Sequence, residues 1–113
     1  MMFKKLRNIL YRSIENNEIS YKNLIQGMKN KNIILIDVRS SQEYEEGHLN
    51  GAVNIPLYNL EEKVENIIKE KNALIVVYCS SGYRSKKAKE ILEKLNYINV
   101  YNLKDGLDNV WIQ

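Results

Sequence analysis

The chain has 113 residues, with 17 basic and 14 acidic side chains, a formal net charge of +3, one cysteine and one histidine. That length holds one domain around one core, and 44% hydrophobic against 27% charged residues excludes wholesale disorder. One cysteine excludes an internal disulfide, and one histidine beside it excludes a structural zinc site, so a reducing, cytoplasmic setting without metal or cofactor is expected.

Charge is unevenly spread. Residues 1–31 carry seven basic side chains against two acidic ones, while the rest carries ten against twelve. Any pull on anionic polymers or lipids therefore belongs to the N-terminal segment. No aromatic platform is interleaved with those cations, which argues against nucleic acid as a partner. No window has the length and apolarity of a membrane span, and no apolar run follows the first positive charges as a signal peptide requires.

In chain order, Phe3, Leu6, Leu10 and Ile14 recur three or four apart and predict an amphipathic helix over 3–16. Asn16-Asn17 interrupts it, so residues 1–17 read as a helical extension and 18–113 as the domain proper. Ser20 is the expected N-cap of a second helix, which reaches Gly27 or Lys29 with Leu24, Ile25 and Met28 inward. Residues 33–37 are an apolar run ending in a carboxylate, the pattern of a strand buried on both faces. Ser40-Ser41-Gln42-Glu43 is a capping box opening a short helix, closed by Gly47.

A short strand at Ala52-Val53-Asn54-Ile55 is stopped by Pro56, the single proline. Asn59 is the expected cap of a helix over 60–69 with Leu60, Val64, Ile67 and Ile68 inward. Residues 73–78 form a second apolar strand and deliver Cys79 to its carboxyl end. A helix over 84–95 turns Ala88, Ile91, Leu92 and Leu95 inward. Lys86–Glu90, Lys89–Glu93 and Glu90–Lys94 stand outside it at one-turn spacing. A strand near 98–101 and a tail helix ending at Trp111 complete the chain. Strands alternating with helices over short connections predict an α/β domain with a parallel sheet.

The chemistry concentrates in Cys79-Ser80-Ser81-Gly82-Tyr83-Arg84-Ser85. A strand hands a thiol to a short loop that contains glycine and enters a helix, and open α/β sheets bind ligands at such a place. Unpaired backbone N–H groups, the helix dipole and the Arg84 cation all favour a thiolate there, and the same cradle suits a persulfide anion or an oxyanion.

This loop resembles the active-site loop of the rhodanese-like sulfurtransferases, a Cys-x-x-Gly-x-Arg-Ser type of pattern. Two further segments agree in order and spacing. Asp37-Val38-Arg39, then Glu43-Tyr44, then Gly47-His48-Leu49 is similar to the family's first signature, and Gly51-Ala52-Val53-Asn54-Ile55-Pro56 follows it directly. The likeness runs from about residue 18 to 111. Where the family usually has Gly-Gly before its C-terminal aromatic, this chain has Asp105-Gly106.

The resemblance implies about five parallel strands flanked by helices, with the N-terminal helix as an addition. It implies that Cys79 takes sulfur from a sulfane donor, holds it as a persulfide and passes it to a thiophilic acceptor. Ser80, Ser81, Gly82, Tyr83 and Arg84 would present backbone N–H groups to that persulfide. Arg84 would attract a small anionic donor such as thiosulfate, and Ser85 would give its hydroxyl to the sulfur or the loop. The acceptor would be a thiol or a cyanide-like nucleophile. A non-catalytic rhodanese-like interaction module stands second. Phosphatase or arsenate-reductase chemistry stands third, because four residues and not five separate Cys79 from Arg84.

Four further residues stand around this loop. Asp37 ends a strand at the same sheet edge as Cys79 and is expected in an ion pair through Arg39, or on a loop amide, before acid–base work. His48 is expected to anchor a loop before it is expected to act as a base for Cys79. Lys86, with Lys87, opposes the helix dipole, so either it draws anions toward Cys79 or it simply faces solvent. The stripe of residues 3–14 needs a cover: the domain itself, a second copy or a partner protein. Its apolar area is too small for a membrane surface.

Overall fold

The computed structural model describes residues 17–30 and 32–111. The predicted helix over 3–16 and its apolar stripe lie outside the described residues. The elements in order are β1 (Glu18–Ile19), α1 (Tyr21–Asn30), β2 (Ile33–Asp37), α2 (Ser41–Glu46), β3 (Val53–Asn54), α3 (Leu57–Ile67), β4 (Leu74–Tyr78), α4 (Tyr83–Lys94), β5 (Asn99–Leu103) and α5 (Gly106–Trp111). The strands form one five-stranded sheet in the order β1-β5-β4-β2-β3, and every pairing is parallel.

The centre of the sheet is set by two apolar runs. Ile33–Asp37 pairs residue for residue with Leu74–Tyr78, so Asp37 lies beside Tyr78. Because side chains alternate along a strand, successive β4 residues enter two different cores. Ile75, Val77 and Cys79 face a cluster with Leu60, Val64, Ala88, Leu92 and Tyr97, which covers the sheet with α3 and α4. Val76 and Tyr78 face the other cluster with Leu24, Leu35, Leu49 and Leu107, under α1 and α5. Apolar side chains on both faces are what made these strands read as continuous hydrophobic runs.

Most elements coincide with the sequence reading, and the differences have local causes. Ser20 caps α1, its Oγ accepting the Asn23 N–H at 3.1 Å. At α2 both halves of the capping box are closed between Ser40 and Glu43. Helix α3, however, starts at Leu57 directly after Pro56, and Asn59 lies inside it without capping. Proline's fixed φ and missing N–H suit a helix start, and that outweighed the asparagine signal. Ile67, expected inward, is 51% exposed, and Ile68 beyond the helix end takes the buried place. Along α4 only Lys89–Glu93 closes as an ion pair among the described residues. The two-residue strand β1, paired to Asn102 and Leu103 of β5, is too short to leave a pattern in the sequence.

Candidate active site

Strand β4 carries Cys79 out of the sheet at its carboxyl end, and Ser80, Ser81 and Gly82 reverse the chain into α4. Gly82 has φ 101°, a left-handed conformation that a side chain would strain. This turn aims backbone donors back at the sulfur. The Gly82 N–H reaches Cys79 Sγ at 3.1 Å and the Ser85 N–H reaches it at 3.4 Å. The N–H groups of Ser81, Tyr83 and Arg84 have no protein acceptor among the described residues. Cys79 itself is only 1% exposed, so its sulfur lies on the floor of this cradle.

Ser85 and Asn102 brace the cradle from below. Ser85 Oγ lies 3.5 Å from Sγ, 3.1 Å from the Gly82 carbonyl and 2.5 Å from Asn102 Oδ1. A hydroxyl has one proton, and the shortest of these contacts directs it to Asn102. The Asn102 amide in turn donates to the Gly82 carbonyl at 3.5 Å. Both side chains are buried, so β5 is tied to the active loop through a fully partnered polar network. Sequence reasoning missed Asn102. Its signal was a polar side chain at a buried position of β5, whose neighbours Val100 and Leu103 are also buried.

Arg84 does not stand free. Its guanidinium makes a bidentate pair with Glu43 of α2, at 2.7 Å to Oε1 and 2.9 Å to Oε2. The Ser80 hydroxyl completes the clasp, 3.4 Å from both Arg84 and Glu43. Glu43 therefore works twice, closing the capping box of α2 and holding the arginine of the loop. The Arg84 hydrogen bonds, helped by those from Ser40, pull its carboxyl down to about 2 against a smaller opposing effect of burial. Glu43 raises the Arg84 guanidinium in return, with the Cys79 charge adding to the effect. The sequence showed Glu43 as a cap, but its 41-residue reach to Arg84 left no local signal.

The supporting residues form a second, separate unit. Asp37 is fully buried and accepts from Arg39 at Nε, NH2 and the backbone N–H. Arg39 also donates to the Gly47 carbonyl at 2.6 Å and lies against the Tyr78 ring. Burial beside Asp37 drives the Tyr78 hydroxyl far above its ordinary value, and that hydroxyl accepts the Leu49 N–H. His48 is exposed, stacked on Tyr44 at 3.6 Å between ring centres, with Nδ1 donating to the Tyr44 carbonyl. These contacts fix the chain between α2 and β3. None of them touches the sulfur.

The remaining loop residues point outward. Tyr83 is 68% exposed with the Lys87 ammonium 5.4 Å from its ring centre. Lys86 is exposed and borders a shallow polar hollow with Asn17, Glu18, Lys89, Glu90 and Asn102. Helix α5 closes the loop from the far side. Its Leu107 and Asp108 N–H groups donate to the carbonyls of Cys79 and Ser80 at 2.8 and 2.9 Å. Among the described residues no cluster of His, Cys, Asp and Glu could hold a metal ion, and no helix is long and apolar enough to cross a membrane.

Comparison with known proteins finds relatives of this chain. The family model for the rhodanese-like domain matches residues 20–113. The thiosulfate sulfurtransferase PspE of Escherichia coli is 42% identical over 67 residues, 59% of this chain and 64% of that protein. A tRNA uridine(34) hydroxylase of Buchnera aphidicola is 33% identical over 93 residues, and the match spans only 30% of its length. Among solved structures, the human single-domain sulfurtransferase TSTD1 superposes with a TM-score of 0.77 at 22% identity, covering 86% of this chain and 96% of that one. At that identity the likeness is one of fold.

Proposed function

Since the chain belongs to the rhodanese-like domain family, we propose that it is a sulfurtransferase carrying sulfane sulfur on Cys79. The observation that carries this reading is the convergence of the Gly82 and Ser85 N–H groups on Sγ, with further N–H groups of the turn left without acceptors. Such donors stabilise a sulfur anion at Sγ, and the unpaired ones stand ready for a second sulfur attached to it. The likeness to a thiosulfate sulfurtransferase supports the same chemistry.

The reaction closes without a cofactor. The Cys79 thiolate attacks the outer sulfur of a donor such as thiosulfate. An S–S bond forms, the bond from that sulfur to the sulfonate breaks, and sulfite leaves with the electron pair. The persulfide anion then waits on the loop amides. An acceptor such as cyanide or a thiolate attacks the terminal sulfur and takes it, and the Cys79 thiolate is restored as leaving group. Ser85 and Asn102 hold the loop in shape through both half-reactions.

The test is thiocyanate formation from cyanide with thiosulfate or a low-molecular-weight persulfide as donor. The wild type is expected to turn over with at least one donor. Cys79→Ser is expected to show only the uncatalysed rate. Turnover by the variant would contradict the assignment of Cys79.

A further inference from the structure

The Arg84–Glu43 clasp bears on which donor the loop accepts. A lone arginine beside the nucleophile would attract a small dianion, but here the cation is met by a carboxylate at bidentate geometry. Glu43 stays ionised at every pH above mild acid. Counting the thiolate, Arg84 and Glu43 together, the loop carries a net single negative charge in its reactive form. Other cations near the loop face groups of their own. Arg39 is locked on Asp37, Lys87 lies over the Tyr83 ring, and Lys86 borders a polar hollow that Glu18 and Glu90 also line.

We propose that Glu43 sets donor specificity: by neutralising Arg84 it turns the loop against the thiosulfate dianion and toward a thiol-borne persulfide of low charge. This inference rests on the sulfurtransferase reading of Cys79 and narrows it to one donor class. The step balances. The Cys79 thiolate bonds to the outer sulfur of R–S–SH, the bond from that sulfur to the inner one breaks, and the inner sulfur leaves as a thiolate. The proton passes from the new persulfide to that leaving thiolate, giving R–SH and a Cys79 persulfide anion. In a water-like medium, a unit negative charge about 6 Å from a dianion would disfavour its approach on the order of tenfold, which sets the scale of the expected effect.

The experiment measures the rate at which Cys79 gains one sulfur atom, by intact mass, from thiosulfate and separately from cysteine persulfide. It compares wild type with Glu43→Gln, using Glu46→Gln, an exposed carboxylate elsewhere on α2, as the charge control. Glutamine still serves at this position of a capping box, so the variant removes charge while keeping the cap. The thiosulfate-to-persulfide rate ratio is expected to rise about tenfold in Glu43→Gln and to stay put in Glu46→Gln. An unchanged ratio in Glu43→Gln overturns the inference while leaving the sulfurtransferase reading intact. Failure of both donors to load the wild type overturns both.

A second measurement needs no variant. Across the persulfides of cysteamine, cysteine and N-acetylcysteine, wild-type loading is expected to slow as negative charge is added. Loading that speeds up along this series overturns the inference.

Discussion

At the scale of single residues, the site is a set of polar groups that each answer another. Glu43 shows how strongly one such pairing registers. Its carboxyl ordinarily titrates at 4.5 and is held at about 2 in the fold, chiefly by the Arg84 hydrogen bonds. A carboxyl lowered by folding binds fewer protons in the native state than in the unfolded one, so its contribution is complete above the unfolded value. It is lost as pH falls from there through about 2. The stability difference between wild type and Glu43→Gln, read from urea midpoints, is therefore expected to be constant above about pH 5 and to shrink steadily below it. A difference that grows on acidification would contradict the clasp. Side chains about one-third exposed soften the size of the effect but not its sign.

At the scale of elements, the active loop is held as firmly by its neighbours as by its own turn. The start of α5 is the tightest contact. A Cβ built on Gly106 would lie 2.3 Å from the Ser80 carbonyl oxygen and 2.8 Å from that of Cys79, and its φ of +69° already disfavours a side chain. Gly106→Ala is expected to cost about 2–4 kcal/mol and to slow sulfur loading of Cys79, because the clash falls on the loop backbone. Asp105 beside it also takes positive φ, at 62°. This explains how aspartate stands where the family pattern usually has glycine: Asp tolerates the left-handed region better than most residues. Asp105→Gly is accordingly expected to change stability by less than about 1 kcal/mol, measured by the same urea titrations.

The elements also show what a sequence discloses. Strands β2 and β4 were legible because burial on both faces writes an unbroken apolar run. The capping box of α2 was legible because it is complete within four residues. Cys79 and the path of its loop were legible for the same local reason. The start of α3 was misread because Asn59 carries a familiar cap signal, while Pro56, read as the stop of the strand before it, also starts the helix. Glu43–Arg84 and Ser85–Asn102 were invisible because each joins residues distant in the chain, 41 and 17 positions apart. Contacts of that kind are created by the topology. They leave little local trace: Asn102 is one of two asparagines in β5, and nothing in the strand itself says which of them meets the loop.

At the scale of the whole molecule, the parallel sheet is what assembles the site. Strands β2 and β4 are adjacent and in register, so their carboxyl ends bring Asp37 and Cys79 to one edge. That edge then receives α2 with Glu43 on one side and the entrance to α5 on the other. Two cores on opposite faces fix the strands between them, so the loop rests on a scaffold rather than on flexible supports. The basic segment of residues 1–31 lies mostly outside the described residues. Its charge is the chain's main asymmetry.

The most direct measurement is the intact mass of the wild-type protein after incubation with thiosulfate or with cysteine persulfide, beside Cys79→Ser. The account predicts a gain of one sulfur atom on the wild type, absent from the variant and removed by cyanide or a thiol. A wild-type protein that gains no sulfur from either donor, or a variant that gains it equally, would contradict it.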